Sequence, residues 1–253
     1  MQIALRDISE TGSRTGRILL GDRRLDVLGL LDHRPNDTSE PRLRRVSDLE
    51  SYGVLVSDAV DDLEDDITTA LDAGISCVSW SDAPDLSEKY GGSFAAAGRT
   101  LLTGANVGHG IAPCLAAHEA ARSDEVLELM VAWTEPGRRL RRGVPVAFPD
   151  PIGALWGYEV ATSGLSRAVT APTGGIWSGA ATKVTASTGD GLVVRVVGVA
   201  DLAVHLEALA LAAGALTVDS FAYGAARPDD RAEDYLGAAL GAGLDVAAHT
   251  LER

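Results

Sequence analysis

Two glycines, Gly12 and Gly16, stand four apart in the stretch Glu10-Thr11-Gly12-Ser13-Arg14-Thr15-Gly16-Arg17, after a short apolar run and before a helical pattern. Glycines between a strand and a helix let a phosphate approach the backbone, and a helix start offers free N–H groups and partial positive charge to hold it. The full G-x-G-x-x-G pattern is present only in part. Asp32 closes the second apolar run, sixteen residues beyond Gly16. An acid there can accept from ribose hydroxyls, which favours NAD, whereas Arg34 can pair with a 2′-phosphate and favour NADP. Ser57-Asp58-Ala59 follows the third run, whose end lies beside the cofactor in such sheets; the same residues can instead cap the next helix. The reading is a dinucleotide site built on Gly12, Ser13, Arg14, Thr15, Gly16, Asp32, Arg34, Ser57, Asp58 and Ala59.

Proton-transfer candidates are fewer. His109, between Gly108 and Gly110, has a side chain suited to proton exchange near neutrality, and the glycines leave room for a ligand. A structural loop histidine is the competing account. Lys183, one of two lysines, could donate a proton or bind a carboxylate, or be an exposed strand lysine. The run Arg138-Arg139-Arg141-Arg142 reads as a solvated turn, with carboxylate capture as the sharper alternative. Trp156, Tyr158 and Trp177 could line a pocket or simply pack. No metal-ligand cluster, no H-E-x-x-H, no G-x-S-x-G and no Walker pattern occurs in the sequence, so metallohydrolase, serine-hydrolase and ATPase readings are poor.

These residues need elements to hold them. Ile3–Leu5, Leu25–Leu31, Tyr52–Ser57, Ile75–Trp80 and Thr100–Leu102 read as strands. Asp61–Ala73, Leu86–Ala97 and residues 110–122 read as helices between and after them, and Arg17–Leu20 as a helix start. Strands alternating with helices imply a parallel sheet, and near-continuous apolar strands imply burial on both faces. The fold class is therefore α/β, a doubly wound parallel Rossmann-type sheet. After about residue 122 the texture changes to a smaller α+β domain. It has strands at Val126–Trp133, Thr182–Ser187 and Leu192–Val197, with a turn at 188–191, and helical patterns at Asp201–Leu216 and Pro228–Leu240. The expected domains are 1–122 and 123–253, with the last helix returning to the first.

Three segments resemble the dehydrogenases related to saccharopine dehydrogenase, dihydrodipicolinate reductase and 2,4-diaminopentanoate (amine) dehydrogenase. They are Gly12-Ser13-Arg14-Thr15-Gly16-Arg17, the run ALDAGISCVSWSDAP, and Gly104-Ala105-Asn106-Val107-Gly108-His109. The resemblance implies an NAD or NADP cofactor, with Gly104 and Asn106 at its nicotinamide end. It also implies a second domain that closes over a small amino, imino or oxo substrate and pairs as a homodimer. Glu10, an acid in the phosphate stretch, motivates a different class: a non-catalytic small-molecule-binding protein on the same fold.

Composition limits the partners. Of 253 residues, 46% are hydrophobic and 23% charged, enough for a core. With 36 acids against 22 bases, net charge −14, neither nucleic acid nor an anionic membrane is an expected partner. Two cysteines, Cys77 and Cys114, exclude a disulfide scaffold. Arginine far outnumbers lysine, as in GC-rich bacterial genomes. The start shows no signal-peptide pattern, and the apolar stretch Leu206–Val218 is too short to span a bilayer, so the expected location is the cytoplasm.

Overall fold

The computed structural model describes residues 1–6, 9–31, 39–136, 143–163, 166–173, 175–189 and 191–252. It forms two compact units. Unit 1 is Met1–Asn106 with Glu207–Gly243; unit 2 is Val107–Leu206 with Leu244–Arg253. The boundary expected at 122/123 thus falls inside unit 2. Residues 107–122 look like one more step of the alternating pattern, but their helix packs on strands of the second sheet.

Unit 1 opens with β1 (Gln2–Arg6), α1 (Glu10–Gly21), β2 (Val27–Leu31), β3 (Leu43–Val46) and β4 (Val54–Ser57). Next come α2 (Leu63–Asp72), β5 (Ser76–Ser79), α3 (Pro84–Ala96) and β6 (Thr100–Leu102). The sheet is all parallel in the order β3-β2-β1-β4-β5-β6, continued by the late strand β13 (Gly224–Ala226). Strand alternation sends side chains to two cores. Ile3 and Leu5 face Leu19 of α1 together with Leu211 and Ala215, which lie on the helix before β13. Ala4 and Leu55 face Ile67 of α2 and Phe94 of α3. Helices on both faces of a parallel sheet make the doubly wound fold that the sequence implies.

Unit 2 begins with a π-helical turn, Val107–Ile111, and α4 (Ala112–Ala121). Its strands are β7 (Glu125–Pro136), β8 (Val144–Ala147), β9 (Ala154–Ser163), β10 (Ser166–Thr173), β11 (Trp177–Thr188), β12 (Gly191–Leu202) and, from the chain's end, β14 (Ala247–Glu252). They form one sheet in the order β14-β12-β11-β7-β10-β9-β8. Only the β10/β7 pair is parallel, and the β11–β12 hairpin closes with Thr188 opposite Gly191. The core holds Ala132, Val146, Phe148, Val169 and Ala181. α4 packs on β11 and β7, and Arg195 of β12 ties to it by an ion pair with Glu119 at 3.0 Å.

The helix α5 (Ala203–Thr217) is apolar on every side from Ala208 to Leu216, where it is buried all round. With the following turn, Ala203–Ser220 is long and apolar enough to cross a membrane, and 67% of it is buried within the protein. Gly214 makes this packing possible: a Cβ there would stand 2.9 Å from Val78 Cγ1. The last helix, α6 (Ala232–Gly241), lies in unit 1, where the buried Tyr235 hydroxyl donates to the Ala210 carbonyl at 2.8 Å.

Candidate nucleotide site

The strand order reverses direction between β1 and β4, so their C-terminal ends form the switch point at which open α/β sheets bind ligands. Three groups meet there: Ser9, the start of α1, and Asp58.

The stretch 10–17 is helix rather than loop, a correction to the sequence reading. Ser9 has extended backbone (φ −133°, ψ 174°) and caps α1. Its Oγ accepts from the N–H groups of Thr11 at 3.0 Å and Gly12 at 3.3 Å. A Ser followed by an acid in the first turn is a helix-start signal, and here it outweighs the glycine spacing. The helix therefore begins seven residues before the expected Arg17. Gly16 lies on the inner face, where a Cβ would meet Leu5 Cδ2 at 3.2 Å. Thr15 is fully buried and its hydroxyl donates to the Thr11 carbonyl at 2.8 Å. Those two residues serve helix–sheet packing. Ser13 and Arg14 are half-buried in the second turn.

Counted in sequence back from Gly12, the earlier positions of a G-x-G-x-x-G pattern are Asp7 and Ser9. Only the third is glycine. The Ser9 cap was the available sequence signal for where α1 begins.

Asp58 follows β4 and is 7% exposed. Its Oδ2 accepts the Gly12 N–H at 3.0 Å and also the Ser9 hydroxyl. Asp58 thus meets the start of α1, not the helix that follows it in sequence. Its other oxygen, Oδ1, is buried and has no hydrogen-bond partner among the described residues. Ser57 and Ala59 brace the turn from behind. Ser57 Oγ accepts the Ala59 N–H at 3.1 Å and donates to Asp66 of α2, whose second oxygen pairs with Arg6 at 2.5 Å. Burial raises the Asp66 carboxyl above its ordinary range, against the Ser57 hydrogen bond and the Arg6 charge that pull it down. Arg6 and Asp66 carry no local sequence signal of this role.

Gly104 and Asn106 lie beyond β6. Gly104 has φ +76°, which favours glycine, and its N–H donates to Ser81 at 2.9 Å. Asn106 is buried and its Nδ2 donates to the Trp80 carbonyl at 2.8 Å. Asp32 and Arg34, with His33 and the arginine run 138–142, fall outside the described residues.

In unit 2, His109 sits in the π-helical turn, half-buried, its ring 6.3 Å from that of Trp133 and tilted by 51°. Single π turns recur at functional sites. Lys183, on β11, forms a cross-strand ion pair with Glu128 at 2.9 Å. That pair holds the Glu128 carboxyl below its usual range through the lysine hydrogen bond. No cluster of three or more potential metal ligands occurs among the described residues.

Comparison with solved structures places this arrangement. The fold is that of the Rossmann-type dehydrogenases. Saccharopine dehydrogenase (L-Glu forming) from Saccharomyces cerevisiae matches over 99% of this chain and 100% of that one, with TM-score 0.72 at 8% identity. Dipicolinate-bound dihydrodipicolinate reductase from Paenisporosarcina sp. TG-14 matches over 90% and 97%, with TM-score 0.53 at 10% identity. GenD2 of gentamicin A biosynthesis, solved with NAD, matches over 100% and 97%, with TM-score 0.51 at 12% identity. The resemblance read from the sequence therefore holds at the level of fold. No family model matches the chain, and no curated protein does.

In this fold a dinucleotide sets its pyrophosphate at the start of α1. In this chain the Gly12 N–H at the start of α1 is taken by the Asp58 carboxylate. The helix start offers that N–H to one anion at a time.

Proposed function

We propose that this chain is a nicotinamide-dependent oxidoreductase acting on a small amino, imino or oxo compound. The observation that carries the reading is the β3-β2-β1-β4-β5-β6 order, with a capped helix start at the β1/β4 switch point. GenD2, which shares the fold, was solved with NAD. In this reading Ser9 and Gly12 meet the pyrophosphate, and Asp32 and Arg34 meet the adenosine ribose, so that their balance sets NAD against NADP. The nicotinamide supplies the hydride when bound. His109 is the proton donor to the substrate, a role worth about 10²- to 10⁴-fold in rate. Lys183 is left to its ion pair with Glu128.

The test is titration with NADH and NADPH, followed by nicotinamide fluorescence and by thermal unfolding. A saturable signal and a raised unfolding temperature with one of them are expected. Silence with both at millimolar concentration, in the native chain and in Asp58→Asn alike, overturns the reading.

A second reading is favoured by one specific observation, the engagement of Gly12 by Asp58 with Asp7 and Ser9 at glycine positions. It is a non-catalytic small-molecule-binding protein on the same fold. It expects no dinucleotide response from the native chain or from any variant at Asp58.

A further inference from the structure

The carboxylate of Asp58 lies at the start of α1, the helix end that attracts anions, where it accepts the Gly12 N–H. Four observations make it a built feature. Asp58 is almost fully buried, and it takes the Gly12 N–H at 3.0 Å. Ser9, whose hydroxyl donates to the same oxygen, caps α1 from the other side. The turn carrying Asp58 is pinned by the Ala59–Ser57–Asp66–Arg6 chain of contacts. The Oδ1 oxygen remains buried without a hydrogen-bond partner among the described residues, a costly state unless the other oxygen is well held.

A helix start attracts anions through its free N–H groups and its dipole. A carboxylate supplied by the chain satisfies both. A phosphate arriving at the same N–H meets a like charge at hydrogen-bond range in a partly desolvated place, where repulsion is strong.

We propose that Asp58 is an internal occupant of the phosphate seat at the start of α1, so that a phosphate-bearing ligand enters only when this carboxylate withdraws or loses its charge. The proposal deepens the cofactor reading above by naming what gates that site, and it rests on that reading only for the identity of the ligand.

The test uses the full chain and the variants Asp58→Ala and Asp58→Asn. Each is checked for native far-UV circular dichroism, and Asp58→Asn decides if Asp58→Ala does not fold. Thermal unfolding is followed in inorganic phosphate and in pyrophosphate, against sodium chloride of matched ionic strength. The native chain is expected to show no phosphate-specific rise. The variants are expected to show a saturable one, about 3–5 °C at ten times Kd. An equal rise in the native chain, or none in either variant, overturns the proposal. A parallel titration with NADH and NADPH separates the two ideas. Dinucleotide binding at least tenfold tighter in the variants supports both. A phosphate response with no dinucleotide response keeps Asp58 as the occupant and removes the cofactor reading.

Discussion

Arg6 and Asp66 meet at 2.5 Å, and the aspartate side chain has no solvent exposure. The pair joins the end of β1 to α2 beneath the turn that carries Asp58. Breaking it by removing one partner strands the other charge. For a fully buried pair that costs about 3–5 kcal/mol, and Arg6 keeps enough exposure to reduce the figure.

The raised carboxyl of Asp66 gives a pH signature. The folded chain holds this proton to higher pH than the unfolded chain does, whose aspartates titrate near 3.8. Above that value the folded state binds more protons, so this group's contribution to stability falls as pH rises. Asp66→Asn removes the titration. The stability difference between the native chain and Asp66→Asn, from urea unfolding, is expected to shrink between pH 4 and pH 7. A difference that widens would mean that Arg6, not burial, controls the carboxyl.

Lys183→Ala separates an ion pair from a working lysine. The Lys183 and Glu128 side chains are 36% and 38% exposed, so solvent screens the pair. A loss of no more than about 1 kcal/mol is expected from chemical denaturation, shrinking in high salt. Dinucleotide binding should be unchanged. A loss of binding with stability intact would return Lys183 to the site.

How much of this was legible in the sequence depends on range. The central strands β1, β2, β4, β5 and β6 announce themselves as apolar runs because both their faces are buried. β3 was not read, since Leu43-Arg44-Arg45-Val46 is an edge strand whose two arginines are exposed. β8, β9 and β10 were not read either. They belong to a sheet whose strands alternate in burial only weakly, and β10 carries an irregularity between Ala168 and Val169. The residue types of the candidate site were visible, and Ser57-Asp58-Ala59 was placed at the correct strand end. That Asp58 would engage the start of α1 was not visible, because Asp58 and Gly12 stand 46 residues apart and only the parallel β1/β4 pairing brings them together.

Strand β9, which pairs with β10 and with the edge strand β8, supports a prediction about assembly. Trp156 and Val160 of β9 are 62% and 52% exposed, and Ile176 in the same unit is 68% exposed. Large apolar side chains left exposed on one unit are candidates for an interaction surface. We expect a homodimer through unit 2, with Trp156→Glu shifting the mass in solution from dimer to monomer while circular dichroism stays native. Light scattering coupled to size exclusion reads this directly. A native chain that is monomeric at tens of micromolar removes the expectation.

Gly108 precedes His109 and lies against Trp133. A Cβ on Gly108 would stand 2.9 Å from both Cδ1 and Nε1 of the indole, so Gly108→Ala must move the ring. Overpacking of this kind costs about 1–3 kcal/mol. For a chain of this size that is a fall in Tm of roughly 3–10 °C. The same displacement disturbs the His109–Trp133 contact, whose rings lie 6.3 Å apart. Gly108→Ala should therefore change tryptophan near-UV circular dichroism together with Tm. If His109 is the proton donor, His109→Asn lowers turnover of an imino substrate by about 10²-fold or more at unchanged cofactor affinity. Gly108→Ala then lowers turnover less, because the imidazole is displaced and not removed. A His109→Asn variant that turns over normally would leave this turn with a packing role alone.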